Sequence, residues 1–189
     1  MAHADLSPQE QQKIIADFKQ NPEVFEHVYN FYYEMIFRYL AKRTMSSELA
    51  YDLTADTFIK AFESFHKFQY REVSIKSWLY RIAINNLKNS YRRPPHSAME
   101  EVSEDHPDLV TFVKDELETM DEALFGDEQM GKLSDAIATL NPDYQNIISL
   151  YYFSEMSQEE IGQTINRSTS AVKSMMHRAM TSLRQILAS

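Results

Sequence analysis

Apolar residues recur at helical spacing over most of the chain. Phe25, Val28, Tyr32, Met35, Ile36, Tyr39 and Leu40 fall three or four apart after Asn21-Pro22, and this period predicts a helix through EVFEHVYNFYYEMIFRYLAKR. Leu49, Leu53, Phe58, Phe62 and Phe65 predict a second after Ser46-Ser47. Ser7-Pro8 opens a shorter amphipathic stretch, QEQQKIIADF. Leu79, Ala83, Leu87 and Tyr91 line one side of a helix over Ser77–Arg93, which Pro94-Pro95 stops. Further on, the pattern predicts helices over Lys132–Leu140, over DYQNIISLYYF behind Asn141-Pro142, and two more within Ser157–Leu187, separated at Asn166. No strand-like alternation and no fixed-period repeat is present. The expected fold is all-α, with a helical domain over residues 1–95, an acidic linker over 96–130 and a second helical domain over 131–189. Within the linker, Leu109, Phe112, Val113, Leu117, Met120 and Leu124 suit one amphipathic helix.

The last two helices carry the punctuation of a helix-turn-helix. Ser157 and Glu160 form an S-x-x-E capping box, Asn166 tolerates the left-handed backbone of a tight turn, and Ser168 or Thr169 caps the second helix. On that helix Val172, Met176, Ala179, Leu183 and Leu187 form an apolar stripe, while Lys173, Ser174, His177, Thr181 and Arg184 fall opposite. Its first turn, STSAVKS, is polar and short-chained, which suits close approach to base edges and phosphates. An αα-hairpin with a solvated face would give the same punctuation.

Charge changes this picture. The chain has net charge -9, but the acids are segregated. Met99–Glu128 holds twelve acids and one lysine, whereas Lys60–Arg93 holds eight bases and two acids, and Arg167–Arg184 four bases and no acid. Winding Ser77–Arg93 as a helix puts Arg81, Asn85, Lys88 and Arg92 on one face, with Trp78 at its border. Cations bind phosphates, asparagine reads base edges and an aromatic can stack, so an acid-free face of this kind suits a polyanion. Packing into the core is the competing role for Trp78.

Other classes are excluded or disfavoured. The three glycines argue against glycine-rich phosphate loops, and the absence of cysteine removes disulfides and thiolate sites. The six histidines form no zinc-binding pair, and G-x-x-x-x-G-K and G-x-S-x-G are both missing, so neither an enzyme nor a cofactor or metal is expected. The polar N-terminus does not look like a signal peptide, and no apolar run approaches the roughly 18 residues that span a bilayer; the expectation is a cytoplasmic protein with no membrane insertion.

TFIKAFESF, SWLYRIAINNLKNSYRR, LNPDYQNIISLYYFSEMSQEEIGQTI and SAVKSMMHRA, in this order, resemble a bacterial RNA polymerase sigma factor of the extracytoplasmic-function (ECF) group. The resemblance covers residues about 22–93 and 130–187. It implies a sigma-2-like domain that docks on polymerase and opens and reads the minus-10 element, and a sigma-4-like domain that reads minus-35. The implied partners are core RNA polymerase (the beta-prime clamp helices and the beta flap) and promoter DNA, with room for an anti-sigma factor. Asp52, Asp56, Thr57 and Lys60 are the implied polymerase contacts. Phe68, Gln69, Tyr70, Arg71, Ser74, Trp78, Arg81, Asn85, Lys88, Arg92 and Arg93 are the implied minus-10 contacts. Arg167, Ser168, Thr169, Ser170, Lys173, Ser174, His177 and Arg178 are those for minus-35. Three positions depart from the family's pattern: Ala55 stands where glutamine is usual, FQYREVSIK is one residue longer and lacks a glycine, and Met175 replaces an arginine. A sigma-like decoy that binds an anti-sigma factor but not DNA is the alternative. The retained Arg81, Lys88, Arg92, Arg93, Lys173 and Arg178 argue against it.

Overall fold

The computed structural model describes residues 5–70, 73–92 and 128–188, and among these no strand occurs. Eight α-helices are described: α1 Pro8–Phe18, α2 Phe25–Thr44, α3 Ser47–Phe65, α4 Ile75–Ser90, α5 Glu128–Ala138, α6 Pro142–Tyr152, α7 Gln158–Ile165 and α8 Thr169–Leu187. A 3-10 turn, Pro22–Val24, precedes α2 because Asn21 caps that turn rather than α2 itself. The amphipathic helix expected over Leu109–Leu124 lies outside the described residues.

Local chemistry sets the helix ends. Ser7 with Glu10, and Ser157 with Glu160, close capping boxes at the starts of α1 and α7. Ser46, Ser74 and Ser168 cap α3, α4 and α8 through their hydroxyls. Because Ser74 is the cap, α4 starts at Ile75 rather than at Ser77, and Ser77 is an interior residue with no exposure. Met45 ends α2 and Asn166 ends α7, both left-handed, at φ 52° and 55°.

The first four helices form one bundle in which α2, α3 and α4 pack on one another. Val28, Tyr32, Ile36, Leu40, Ala61, Ile75, Leu79 and Ala83 are fully buried in it. Edge-to-face rings of Phe18, Phe25 and Phe65 close its end against α1. Gln11, buried, donates from Nε2 to the Leu6 carbonyl and accepts the Ile75 N–H at 2.8 Å, tying α1 to the first turn of α4. The expected apolar faces need two corrections here. Phe62 is 45% exposed, because the face of α3 that meets the bundle runs through Leu53, Thr57, Ala61 and Phe65. Tyr91 lies beyond the end of α4 and is 63% exposed.

In the second half α8 packs across α5, α6 and α7. Val172, Met176, Ala179 and Leu183 are buried, but Leu187, at the fraying end, is not. Gly162 is required at the turn: a Cβ there would lie 2.6 Å from the backbone oxygen of Arg167. The halves also touch, with α7 lying on α4 and α6 against α2.

Candidate polymerase and nucleic-acid interfaces

The outer side of α3 carries Asp52 and Asp56, both exposed and one turn apart. Partial burial, followed by the carboxylates of Glu48 and Asp56, pushes Asp52 above its ordinary pKa. Asp56 and Lys60 are 3.9 Å apart across exposed surface, so that pair leaves the acid available. Beside this row a mostly apolar groove runs between α2 and α3, about 600 Å³ in volume; Phe25, Tyr29, Tyr33, Phe58, Ile59 and Phe62 line it, and so do the acids Glu26 and Glu63. Sequence reasoning placed the acids but missed the groove. The exposed residues that mark it are split between two helices, Tyr29 on α2 and Ile59 and Phe62 on α3.

Thr57 departs from the expected contact set. It is fully buried, donates to the Leu53 carbonyl at 2.6 Å and accepts from Asn86 Nδ2 at 3.1 Å. Its position is four residues beyond Leu53 and four before Ala61, on the inner stripe, which is the signal that identifies it as internal. Lys60 keeps its end at the surface but donates to Asn86 Oδ1 at 2.6 Å.

On α4, Asn85 and Lys88 are exposed along one face, and Arg92, just beyond the helix, is exposed too. Arg81, expected with them, is turned to another partner: its Nε donates to the Thr164 carbonyl at 3.1 Å and its guanidinium also donates to the Gln163 carbonyl. Phe68 lies 4.7 Å from Trp78 and 6.0 Å from Phe65, ring centre to centre. Both Phe68 and Trp78 are half-buried packing residues that brace the loop, so the packing role of Trp78 is the one seen. Ser74 is spent as the α4 cap, whereas Gln69 is exposed and Tyr70 half-buried. Arg71 and Arg93 lie outside the described residues.

At the start of α8, Arg167, Ser168, Thr169, Ser170, Lys173, Ser174, His177 and Arg178 are all exposed. Ser168 caps the helix, Ser174 donates to the Ser170 carbonyl at 3.1 Å and Arg178 to the Ser174 carbonyl at 3.3 Å. A helix N-terminus edged with short hydroxyls and cations suits a phosphate backbone and a groove edge. Met175 packs partly against the core, so it does not share the exposed face of Lys173, Ser174 and His177.

A helical bundle with an acidic, apolar side, followed by a helix-turn-helix, is the layout of a DNA-binding regulatory protein. Residues 28–94 match Sigma-70 region 2, and residues 136–185 match Sigma-70, region 4. RNA polymerase sigma factor YlaC of Bacillus subtilis is 33% identical over 160 residues, spanning 85% of this chain and 90% of that protein. ECF RNA polymerase sigma factor SigM of the same organism is 26% identical over 161 residues, 85% of this chain and 93% of that one. The fold is shared with CnrH in its complex with the cytosolic domain of CnrY, at TM-score 0.67 and 17% identity, covering 94% of this chain and 97% of that one. The chain belongs to the sigma-70 family of RNA polymerase sigma factors, in its ECF group. It is therefore a transcription initiation factor rather than an enzyme. Among the described residues no helix is long and apolar enough to cross a membrane.

Proposed function

We propose that the first bundle (within residues 1–95) holds core polymerase through α3 and reads minus-10 through α4 and the loop before it, and that the second (within 131–189) reads minus-35 through α8. The observation that supports this most directly is the separation of two chemistries in one bundle. Asp52 and Asp56 are exposed on α3, which forms one wall of the apolar groove, while Asn85 and Lys88 on α4, with Arg92 just beyond its end, are exposed and acid-free. A basic, helical partner such as the beta-prime clamp fits the first, and an opened strand fits the second. The exposed start of α8 fits the major groove, and the beta flap is the polymerase element that would hold this domain. The linker over 96–130, rich in acid, joins the two readers. The setting that goes with these partners is the cytoplasm, and the site set calls for no cofactor.

An anti-sigma factor belongs to the same proposal. CnrH is described in complex with the cytosolic domain of CnrY, and RpoE of Bartonella quintana in complex with the anti-sigma factor NepR. The α2–α3 groove offers such a protein apolar surface that polymerase would otherwise cover.

Promoter-dependent transcription with purified core polymerase tests the reading, with Asp56→Arg as the companion variant. The wild-type chain is expected to co-elute with core enzyme and support initiation, and the variant to lose both while keeping its helicity. Undiminished co-elution of the variant would remove α3 from the docking site. Co-elution of the wild type with an anti-sigma protein, without initiation from any promoter, would favour the decoy.

A further inference from the structure

Gln11 is 2% exposed, and both ends of its amide are spent. Nε2 donates to the Leu6 carbonyl at 2.7 Å, and Oε1 accepts the Ile75 N–H at 2.8 Å. Ile75 opens α4 and is fully buried. A helix start leaves its first N–H groups without an intrahelical partner, and here α1 supplies one. Asp5, beside Leu6, accepts a hydrogen bond from the hydroxyl of fully buried Tyr32 on α2. The chain before α1 is thus pinned to the bundle core, and Gln11 carries that anchor to the point where the preceding loop enters α4. Ser74 fixes the same point by accepting the Ser77 N–H at 3.1 Å. The other end of the loop is held by Phe68, stacked against Phe65 and packed on Trp78.

Between these anchors α1 faces the loop across an open cleft of about 520 Å³. Gln12, Ile15, Ala16 and Lys19 form the α1 wall, at spacings that put them on one face of the helix. His66, Phe68, Gln69 and Tyr70 form the other wall. Ile15, Ala16 and Phe68 supply apolar surface, and Tyr70 a ring on which a planar base can stack. The exposed amides of Gln12 and Gln69 come from opposite walls, and each carries both donors and an acceptor, as a base edge requires. Lys19 suits the attached phosphate. No acid is among the lining residues, unlike the α2–α3 groove with its Glu26 and Glu63. Stacking surface, two amides and a cation, with no carboxylate, fit an unpaired nucleotide better than a basic or apolar protein segment.

We infer, resting on the sigma-factor reading above, that α1 is the second wall of the minus-10 reader. Gln12 is a specificity-determining residue that meets the edge of an unpaired base seated against Gln69 and Tyr70. Gln11 is a positioning residue that touches no DNA. It fixes the gap between α1 and the loop, and with it the base that fits. Hydrogen bonds to a base edge hold only over about 2.7–3.2 Å, so a slip of α1 by about 1 Å loses the Gln12 contact.

The test uses the full chain with purified core polymerase and a promoter library randomised over minus-10. Wild type is expected to initiate and to prefer one base strongly at the position the cleft reads. Gln12→Ala, at an exposed position, and Gln69→Ala, across the cleft, should each relax that preference about tenfold, and at the same position. Gln11→Met keeps the length of the side chain but makes neither hydrogen bond. It should relax the same position while leaving the other minus-10 preferences in rank order. A merely structural Gln11 would lower use of every library member alike, so a uniform loss overturns its positioning role. Unchanged preference in Gln12→Ala, or a shift at a different position from that of Gln69→Ala, would overturn the site itself. Gln12→Ala decides alone if Gln11→Met fails to fold. Absence of initiation by wild type would remove the sigma-factor assignment and the inference with it, whereas initiation with unmoved preferences removes the inference alone.

Discussion

Asn86 reaches across from α4 to α3 and donates to Thr57 Oγ1 at 3.1 Å, while its chain neighbour Asn85 faces solvent. Two adjacent asparagines thus face opposite ways on one helix: one locks the bundle and the other is left at the surface. Asn86→Ala is expected to cost about 1–3 kcal/mol of stability, since it strips a partner from buried Thr57 and from Lys60. Asn85→Ala should stay within about 0.5 kcal/mol of wild type and change base preference within minus-10. Urea unfolding paired with selection from a promoter library measures both; equal stability losses would show that the two side chains are not divided in this way.

Asp52 sets stability against binding. Its folded pKa lies above the ordinary 3.8, so the free protein loses stability as pH rises from that value through the raised one. A basic partner prefers the ionised acid, so polymerase affinity should rise over the same pH interval. Asp52→Asn is expected to stabilise the free chain by up to about 0.5 kcal/mol for each like-charge neighbour relieved, while weakening binding to core enzyme. Thermal unfolding of the free variant, set beside its affinity for core polymerase from pH 4 to 7, shows whether the two trends oppose.

Gly162→Ala forces a methyl group to within 2.6 Å of the Arg167 backbone oxygen, and backbone cannot swing aside as a side chain can. The expected loss is about 1–3 kcal/mol, confined to the helix-turn-helix. Hydrogen exchange should show faster opening of α7 and α8 with α2 and α3 unchanged. Uniform acceleration across the chain would mean that the turn is not independently strained.

The exposed cations on α8 and those on and just beyond α4 should differ in which promoter element they serve. Lys88→Ala with Arg92→Ala is expected to lower the salt slope of open-complex formation by roughly 0.7 per contact to a single strand. Lys173→Ala should instead weaken use of promoters that depend on minus-35. A salt titration on two promoters, one with and one without a good minus-35 element, decides this. The same pattern for both variants would contradict the division.

Features written in neighbouring residues were legible in the sequence. Ser7-Pro8, Ser46, Asn141-Pro142, the Ser157–Glu160 box and Asn166 all act within a turn of themselves, and each end appears where it was expected. The exposure of Lys173 and His177 on α8 followed from periodicity. What the sequence withheld was tertiary. The engagement of Arg81 by two carbonyls depends on a helix more than eighty positions away, so the helical wheel shows Arg81 free alongside Asn85, Lys88 and Arg92 where the fold occupies Arg81 and leaves the other three exposed. Asn86 looked like its neighbour because only the rotation of α4 against α3 decides which asparagine is inside. Thr57 was assigned outward through its neighbours in the family's motif, although its four-residue spacing to Leu53 and Ala61 marks an inward position.

The groove between α2 and α3 has a consequence for the protein when it is alone. Tyr29, Ile59 and Phe62 are wet in the free chain, at 42%, 58% and 45% exposure. A surface of this kind is adhesive, and it finds other copies when nothing else covers it. Net charge of -9 keeps such molecules apart at low ionic strength, but salt removes that protection before it weakens an apolar contact. The unbound factor is thus a species with a concentration ceiling. Light scattering on the isolated chain should show the ceiling falling as salt is raised, and Phe62→Glu should lift it.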